Sequence, residues 1–154
     1  LYFLATGGGV TFGGGEPGLY SDFIVKFKKA CNPKWKLTIE TSLCVKQSHI
    51  KKLLPIIDYW IIDIKDMDNK RYKRYTGRNN SLMKRNLEYL LNQGKAEQML
   101  IRVPYIGGYN TEVHVDENIK ILQELGVVNI ERFTYEIPSR RFSKLEDVLL
   151  GALE

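Results

Sequence analysis

The sequence predicts one α/β domain built on a parallel sheet, and three observations carry that prediction. Short β-branched and aromatic runs recur along the 154 residues, separated by segments with helical periodicity, at roughly 20 to 35 residues per strand–helix unit. The runs are nearly continuous in apolar residues rather than alternating, which implies parallel strands joined by right-handed helical crossovers. No interior linker or low-complexity stretch divides the chain.

The elements follow in order. Val10 to Phe12 forms a first strand and runs into Gly13-Gly14-Gly15-Glu16-Pro17-Gly18. Ser21 is placed to cap a helix reaching about Cys31, with Phe23, Ile24, Phe27 and Ala30 on one face. Leu37 to Thr41 reads as a strand, and Val45 to Leu54 as a helix stopped by Pro55. Tyr59 to Lys65 is a strand. A helix starts at Ser81, carries Leu82, Leu87, Leu90 and Leu91, and closes at Gly94. Met99 to Tyr105 is the next strand. Asp116 is placed to cap a helix with Ile119, Ile121, Leu122 and Leu125 that ends at Gly126, and Ile130 to Tyr135 is the last strand.

Composition excludes several classes. With 44% hydrophobic and 27% charged residues, the chain is ordinary globular material, neither disordered nor collagen-like. No apolar run approaches the ~20 residues of a membrane span, because Pro55, Asp58 and Asp63 interrupt the longest candidates. Two cysteines, Cys31 and Cys44, are too few for a cysteine-only zinc site, an iron–sulfur cluster or a disulfide scaffold. They read as inert thiols of a reducing cytoplasm.

The net charge of +5 is uneven. Between Lys65 and Arg85 lie eight basic residues (Lys65, Lys70, Arg71, Lys73, Arg74, Arg78, Lys84, Arg85) against Asp66 and Asp68, so the rest of the chain is slightly acidic. Such density suits an acidic protein surface or nucleic acid, or is simply a solvated loop and helix face. Nucleic acid is disfavoured, since only Tyr72 and Tyr75 offer stacking surfaces there.

In parallel α/β folds ligands bind at the carboxyl ends of the strands, and the notable polar residues fall there. Gly13 to Gly15 and Glu16 follow the first strand; Glu40 and Thr41 end the second. Asp63 and Lys65 lie two apart on the third and project to one side. Arg102 lies on the fourth, which leads into Gly107 and Gly108. A glycine turn before a helix offers backbone groups to a small polar ligand. The carboxylates suit an amine, ribose hydroxyls or a cation, and Lys65 and Arg102 suit a carboxylate. Ion pairing of Asp63 with Lys65 is the structural alternative. His49 and His114 sit on polar segments and read as solvated.

These segments resemble, in order and spacing, the radical S-adenosylmethionine enzymes, and within them the glycyl-radical-enzyme activating group that includes pyruvate formate-lyase activating enzyme. The resemblance rests on Gly7-Gly8-Gly9-Val10-Thr11-Phe12-Gly13-Gly14-Gly15-Glu16-Pro17, on Ile39-Glu40-Thr41-Ser42, and on Ile62-Asp63-Ile64-Lys65-Asp66-Met67-Asp68. It continues through Tyr75-Thr76-Gly77-Arg78-Asn79 and Arg102-Val103-Pro104-Tyr105-Ile106-Gly107-Gly108-Tyr109-Asn110, covering about residues 5 to 135.

The resemblance implies a partial (β/α) barrel over residues 1–135, with five parallel strands in sequence order, lacking its first strand and its cluster loop. Residues 136–154 would be a C-terminal tail or short helix. It implies that Gly14, Gly15 and Glu16 hold the amino group of S-adenosylmethionine with Gly13 completing the turn, that Lys65 and Arg102 face its carboxylate or ribose, and that Glu40, Thr41, Asp63 and the Ile61 carbonyl surround a monovalent cation. The family reaction reduces the sulfonium at a [4Fe–4S] cluster, and the 5′-deoxyadenosyl radical takes hydrogen from a glycine of a partner of the pyruvate formate-lyase type.

Departures accompany the match. The Cys-x-x-x-Cys-x-x-Cys loop is absent, so this chain as it stands is expected to hold no cluster and generate no radical. Leu43 stands where the family has glycine, Gly107 where it has proline, and Thr111 where it has an acidic residue. Arg132-Phe133-Thr134-Tyr135-Glu136 replaces Leu-Pro-Tyr-His. Two alternatives follow: a degenerate, non-catalytic barrel module, or a nucleotide-binding α/β domain using the same turn. A missing first strand also leaves the edge of Gly9 to Phe12 open, and self-association there is expected.

Overall fold

The computed structural model describes residues 2–135, so the expected tail 136–154 lies outside the described residues. After a short helix α1 (Tyr2–Thr6), five strands follow: β1 (Gly9–Phe12), β2 (Lys36–Thr41), β3 (Tyr59–Asp63), β4 (Met99–Tyr105) and β5 (Ile130–Thr134). All neighbours are parallel and the sheet order is β1-β2-β3-β4-β5. The connecting helices are α2 (Ser21–Ala30), α3 (Gln47–Leu53), α4 (Asn69–Thr76), α5 (Ser81–Asn92) and α6 (Glu112–Glu124). Among them no helix is long and apolar enough to cross a membrane.

Sequential order with right-handed crossovers winds every step the same way, so the helices gather on one face of the sheet. Burial shows this sidedness. Leu37, Ile39, Trp60, Ile62, Met99, Ile101 and Val103 are 0% exposed under the helices. Their alternates Thr38, Glu40, Ile61, Asp63, Leu100 and Arg102 are only half-buried on the other face. The near-continuous apolar strands are therefore covered by helices on one side alone, the arrangement of an opened barrel wall. Each fully buried aliphatic side chain contributes about 1.5–3 kcal/mol, so the helix face holds the domain together and leaves the opposite face free for polar groups. Among the described residues no strand pairs with the free side of β1.

Local differences from the sequence reading have physical causes. Ser21 does not cap α2; it is the first helical residue, behind a 3-10 turn (Pro17–Tyr20) that Glu16 caps. The buried Ser21 hydroxyl instead meets His49 Nδ1 at 2.8 Å, so His49 ties α3 to α2 rather than standing in water. Ile24 and Phe27 pack inward, but Phe23 is 60% exposed. Helix α6 starts at Glu112, not near Asp116: Thr111 and His114 exchange bonds, the His114 N–H to Oγ1 at 3.3 Å and the Thr111 N–H to Nδ1 at 3.2 Å. That start sets the buried stripe as Val115, Asn118 and Leu122 and leaves Ile121 and Leu125 partly exposed. Helix α4, hidden in the basic segment, is capped by Asp68 and ended by left-handed Gly77.

Candidate functional site

The glycine turn follows β1 because its backbone leaves the extended region. Gly14 (φ +75°) and Gly15 (φ +57°) are both left-handed, which only glycine adopts without cost. Glu16 then fixes the turn to the end of β2. Its Oε1 accepts the Gly18 N–H at 2.9 Å and the Thr41 hydroxyl at 2.6 Å; its Oε2 accepts the Ser42 N–H at 2.9 Å and hydroxyl at 2.6 Å. The carboxylate is thus spent inside the fold, and what the turn offers a ligand is backbone. Ser42 lies in the Ile39-Glu40-Thr41-Ser42 segment but was given no role from sequence, although a hydroxyl just past a strand end is where a carboxylate finds a donor.

From the turn, charge runs across the strand exits. A Cβ at Gly13 would stand 3.4 Å from Glu40 Oε2. That oxygen is 3.5 Å from an Arg102 terminal nitrogen, Arg102 Nε is 2.7 Å from Asp63 Oδ1, and Asp63 Oδ2 is 3.7 Å from Lys65 Nζ. Asp63 and Arg102 are register partners of β3 and β4, so the pleat itself puts both on the helix-free face. Burial opposes the charge on Arg102, but the Asp63 hydrogen bond and the charges of Asp63 and Glu40 outweigh it and raise its pKa. Lys65 also lies over the Tyr135 ring, 5.7 Å from its centroid. Gly13, Glu40, Asp63, Lys65 and Arg102 therefore form one continuous arrangement.

The expected cation site reads differently in space. The Arg102 guanidinium stands between Glu40 and Asp63, so these acids are already neutralised by the chain's own cation. Thr41 is buried on the opposite face of β2, its hydroxyl given to Glu16 and accepting the Leu43 N–H at 2.9 Å. Its side chain cannot join Glu40, because neighbours along a strand point apart.

The loops above this crevice are braced by residues to which the sequence reading gave no site role. Asn110 accepts the Ile106 N–H at 2.6 Å and donates to the Pro104 carbonyl at 2.8 Å. Arg74, counted in the sequence only as part of the basic segment, donates to the carbonyls of Gly108 and Tyr109 at 2.8 and 2.7 Å. Tyr75 and Tyr109 meet edge-to-face at 4.9 Å.

A parallel half-barrel with a glycine turn and an ion network at its strand exits defines an α/β ligand-binding core. The chain belongs to the radical SAM superfamily, whose pattern matches residues 4–138. It is 32% identical over 149 residues to the indoleacetate decarboxylase activating enzyme of Tractidigestivibacter scatoligenes, covering 86% of this chain and 47% of the relative. It is 37% identical over 128 residues to the (2S)-3-sulfopropanediol dehydratase activating enzyme of Klebsiella oxytoca, covering 81% and 40%. Among solved structures, a domain of pyruvate-formate lyase-activating enzyme from Bacteroides vulgatus superposes with a TM-score of 0.65 at 26% identity, covering 90% of this chain and 89% of that one. These are the activating enzymes the motifs resemble. The chain spans about half the length of the sequence relatives.

The superfamily uses S-adenosylmethionine and a [4Fe–4S] cluster. The residues here fit the first: the glycine-turn backbone suits an amine, and Lys65 and Arg102 suit a carboxylate or ribose hydroxyls. It does not fit the second. Among the described residues no three metal-ligating side chains come together. Cys31 follows α2, while Cys44 lies 2.7 Å from the Tyr72 hydroxyl.

Proposed function

We propose that this chain is the cofactor-cradling core of a radical SAM activating enzyme, acting on a glycyl radical enzyme of the pyruvate formate-lyase type in the cytoplasm. The observation that carries the reading is the unbroken line from the glycine turn through Glu40 and Arg102 to Asp63 and Lys65. Backbone carbonyls of Gly13 to Gly15 accept the methionyl amine. Lys65 and the outer edge of Arg102 take the carboxylate or ribose, and Glu40 and Asp63 hold Arg102 in place while offering acceptors of their own. Glu16 positions the turn without touching the ligand. When bound, the cofactor supplies the hydrogen-abstracting chemistry that places a radical on the partner's glycine.

Titration calorimetry of this chain with S-adenosylmethionine, and with ATP as competitor, tests the reading. Binding of S-adenosylmethionine is expected to be weak, since the family's cluster chelates its amine and carboxylate while the glycine turn and strand-end charges only supplement that. Asp63→Asn should weaken it about tenfold to a hundredfold, the cost of one charge-assisted hydrogen bond. Lys120→Ala, at an exposed position of α6 outside the ion network, should leave it unchanged. Tighter binding of ATP would move the chain to the nucleotide-binding alternative, and no binding of either to the degenerate-module one.

The free side of β1 favours a second, independent property. An unpaired strand edge is a template for another strand, so the isolated chain is proposed to self-associate there. Sedimentation should show a concentration-dependent dimer; a strict monomer at high concentration overturns this.

A further inference from the structure

The basic segment is not uniform once folded. Arg71 is paired with Asp66 at 2.8 Å and Glu117 at 3.3 Å, Lys65 with Asp63 at 3.7 Å, and Arg74 is bound to two carbonyls. Asp66 and Asp68 are both consumed, the one by Arg71 and the other capping α4. Among the described residues Lys70, Lys73, Arg78, Lys84 and Arg85 form no ion pair, so the folded segment shows solvent a nearly pure positive field.

Two of these cations line a cavity of about 590 Å³ between the end of α4 and the start of α5. Lys73 and Arg78 flank it, Asn69 and Asn79 add amides, Leu82 gives an apolar wall, and Cys44 reaches it from the loop after β2. Cys44 lies two residues beyond Ser42, which holds Glu16, so the cavity borders the loop that anchors the glycine turn. It falls within the volume range of ordinary binding clefts.

We propose that this cavity docks an acidic peptide segment of the protein partner, with carboxylates meeting Lys73 and Arg78 and the amides of Asn69 and Asn79 steadying its backbone. The inference rests on the reading that the chain acts on a protein, and it adds where that protein is gripped. Charge complementarity selects the occupant: uncompensated cations steer and register an acidic surface. Nucleic acid is disfavoured because Tyr72 is buried and Tyr75 packs on Tyr109, so no aromatic faces the cavity for a base to stack upon.

The test uses a fluorescent hexaglutamate peptide on the full chain, read by anisotropy, with single-stranded RNA and inorganic phosphate as competitors. The peptide should bind, and binding should fade as salt rises from about 0.01 M to about 1 M and the screening length drops from ~30 to ~3 Å. Lys73→Glu with Arg78→Glu should weaken it about tenfold or more, whereas Lys29→Glu with Lys120→Glu, the same charge change elsewhere, should weaken it about twofold or less. In a Cys31→Ser background the peptide should also slow alkylation of Cys44. Equal losses in both double variants, unaltered Cys44 labelling, or displacement by RNA or phosphate at lower concentration than by unlabelled peptide would each overturn the proposal. Calorimetry with S-adenosylmethionine on the Lys73 and Arg78 variants separates the two readings: cofactor binding kept while the peptide is lost supports the cavity, and cofactor binding lost with it assigns these residues to the crevice instead.

Discussion

Glu16 and Ser42 are joined twice, Glu16 Oε2 accepting both the Ser42 hydroxyl at 2.6 Å and its backbone N–H at 2.9 Å. Two loops that follow different strands are thereby locked at the place where the ion network begins. Removing the carboxylate leaves four donors without an acceptor, and hydrogen bonds to a charged group contribute roughly 1.5–3 kcal/mol each, though not additively. Glu16→Ala should therefore lower stability by about 3 kcal/mol or more. Glu16→Gln should cost about half as much, since its amide must turn a donor toward donors. Urea denaturation measures both; parent-like midpoints would show that the turn holds itself.

Leu43 sits one residue on, in the left-handed region at φ +57°, and is 0% exposed. The conformation is over-determined: the Leu43 N–H goes to Thr41 Oγ1 at 2.9 Å and its carbonyl receives the Asn86 amide at 2.9 Å. A branched residue there costs on the order of 1–2 kcal/mol in backbone strain. Leu43→Ala should lose about 2–5 kcal/mol of packing while keeping the strain. Leu43→Gly removes slightly more surface but relieves the strain, so it should be at least as stable as the alanine variant. Elsewhere glycine is the worse of the two by about 0.5–1 kcal/mol. A glycine variant clearly less stable than alanine would mean that the turn carries no strain.

The strands and their order were legible because parallel β-strands announce themselves by apolar runs between helical periods; Met99–Tyr105 is bounded as read. Asp63 and Arg102 were legible as charges inside such runs, and their partnership follows from register, which a linear pattern does not print. Thr111 was hidden because His114 takes the place of the usual acid in its capping box. Helix α4 was hidden because its residues are almost all polar, with Tyr72 its one buried side chain. Leu43 was visible as an oddity against the family pattern, but only the backbone angle shows what the oddity costs. The role of Glu16 changed for a related reason: sequence marks a carboxylate beside a glycine turn, and only geometry tells that its lone pairs are already taken.

Asp68 gives a pH-dependent prediction. Its carboxyl is held below the ordinary carboxylate range, chiefly because it accepts the Arg71 backbone N–H, with burial working the other way and the Arg71 charge adding to the lowering. A folded pKa below the unfolded one stabilises the fold above the unfolded value of about 3.9, and that contribution is lost as pH falls through the folded value. Asp68→Ala should cost about 0.5–2 kcal/mol at neutral pH. Asp68→Asn keeps an acceptor without a charge, so its difference from the parent should be small at pH 7 and shrink as pH falls below the unfolded carboxylate value. Thermal denaturation of parent and Asp68→Asn from pH 7 to pH 2.5 checks the trend. A gap that widens on acidification would reverse the sign and remove Asp68 as the cap.

Arg74 is exposed, yet one of its terminal nitrogens serves the carbonyls of Gly108 and Tyr109, and its guanidinium lies 5.5 Å from the Tyr109 ring centre. Those carbonyls belong to the loop that leaves β4 beside the ion network, a loop also held by the bonds of Asn110, the turn at Ile106 and the Tyr75 ring against Tyr109. An exposed brace adds little to global stability, so Arg74→Ala should lower it by under about 1 kcal/mol. Its local effect is larger, because bonds near the surface open independently of the core. Amide exchange at Tyr109 and Asn110, both bonded to the Ile106 carbonyl, should quicken about tenfold in Arg74→Ala while β4 keeps its protection. Arg74→Lys should fall between, since an ammonium is a point charge that lacks the planar face lying over Tyr109. Quickened exchange throughout β4 would make Arg74 a support of the sheet, and unchanged exchange at Tyr109 and Asn110 would leave the loop standing on its other contacts.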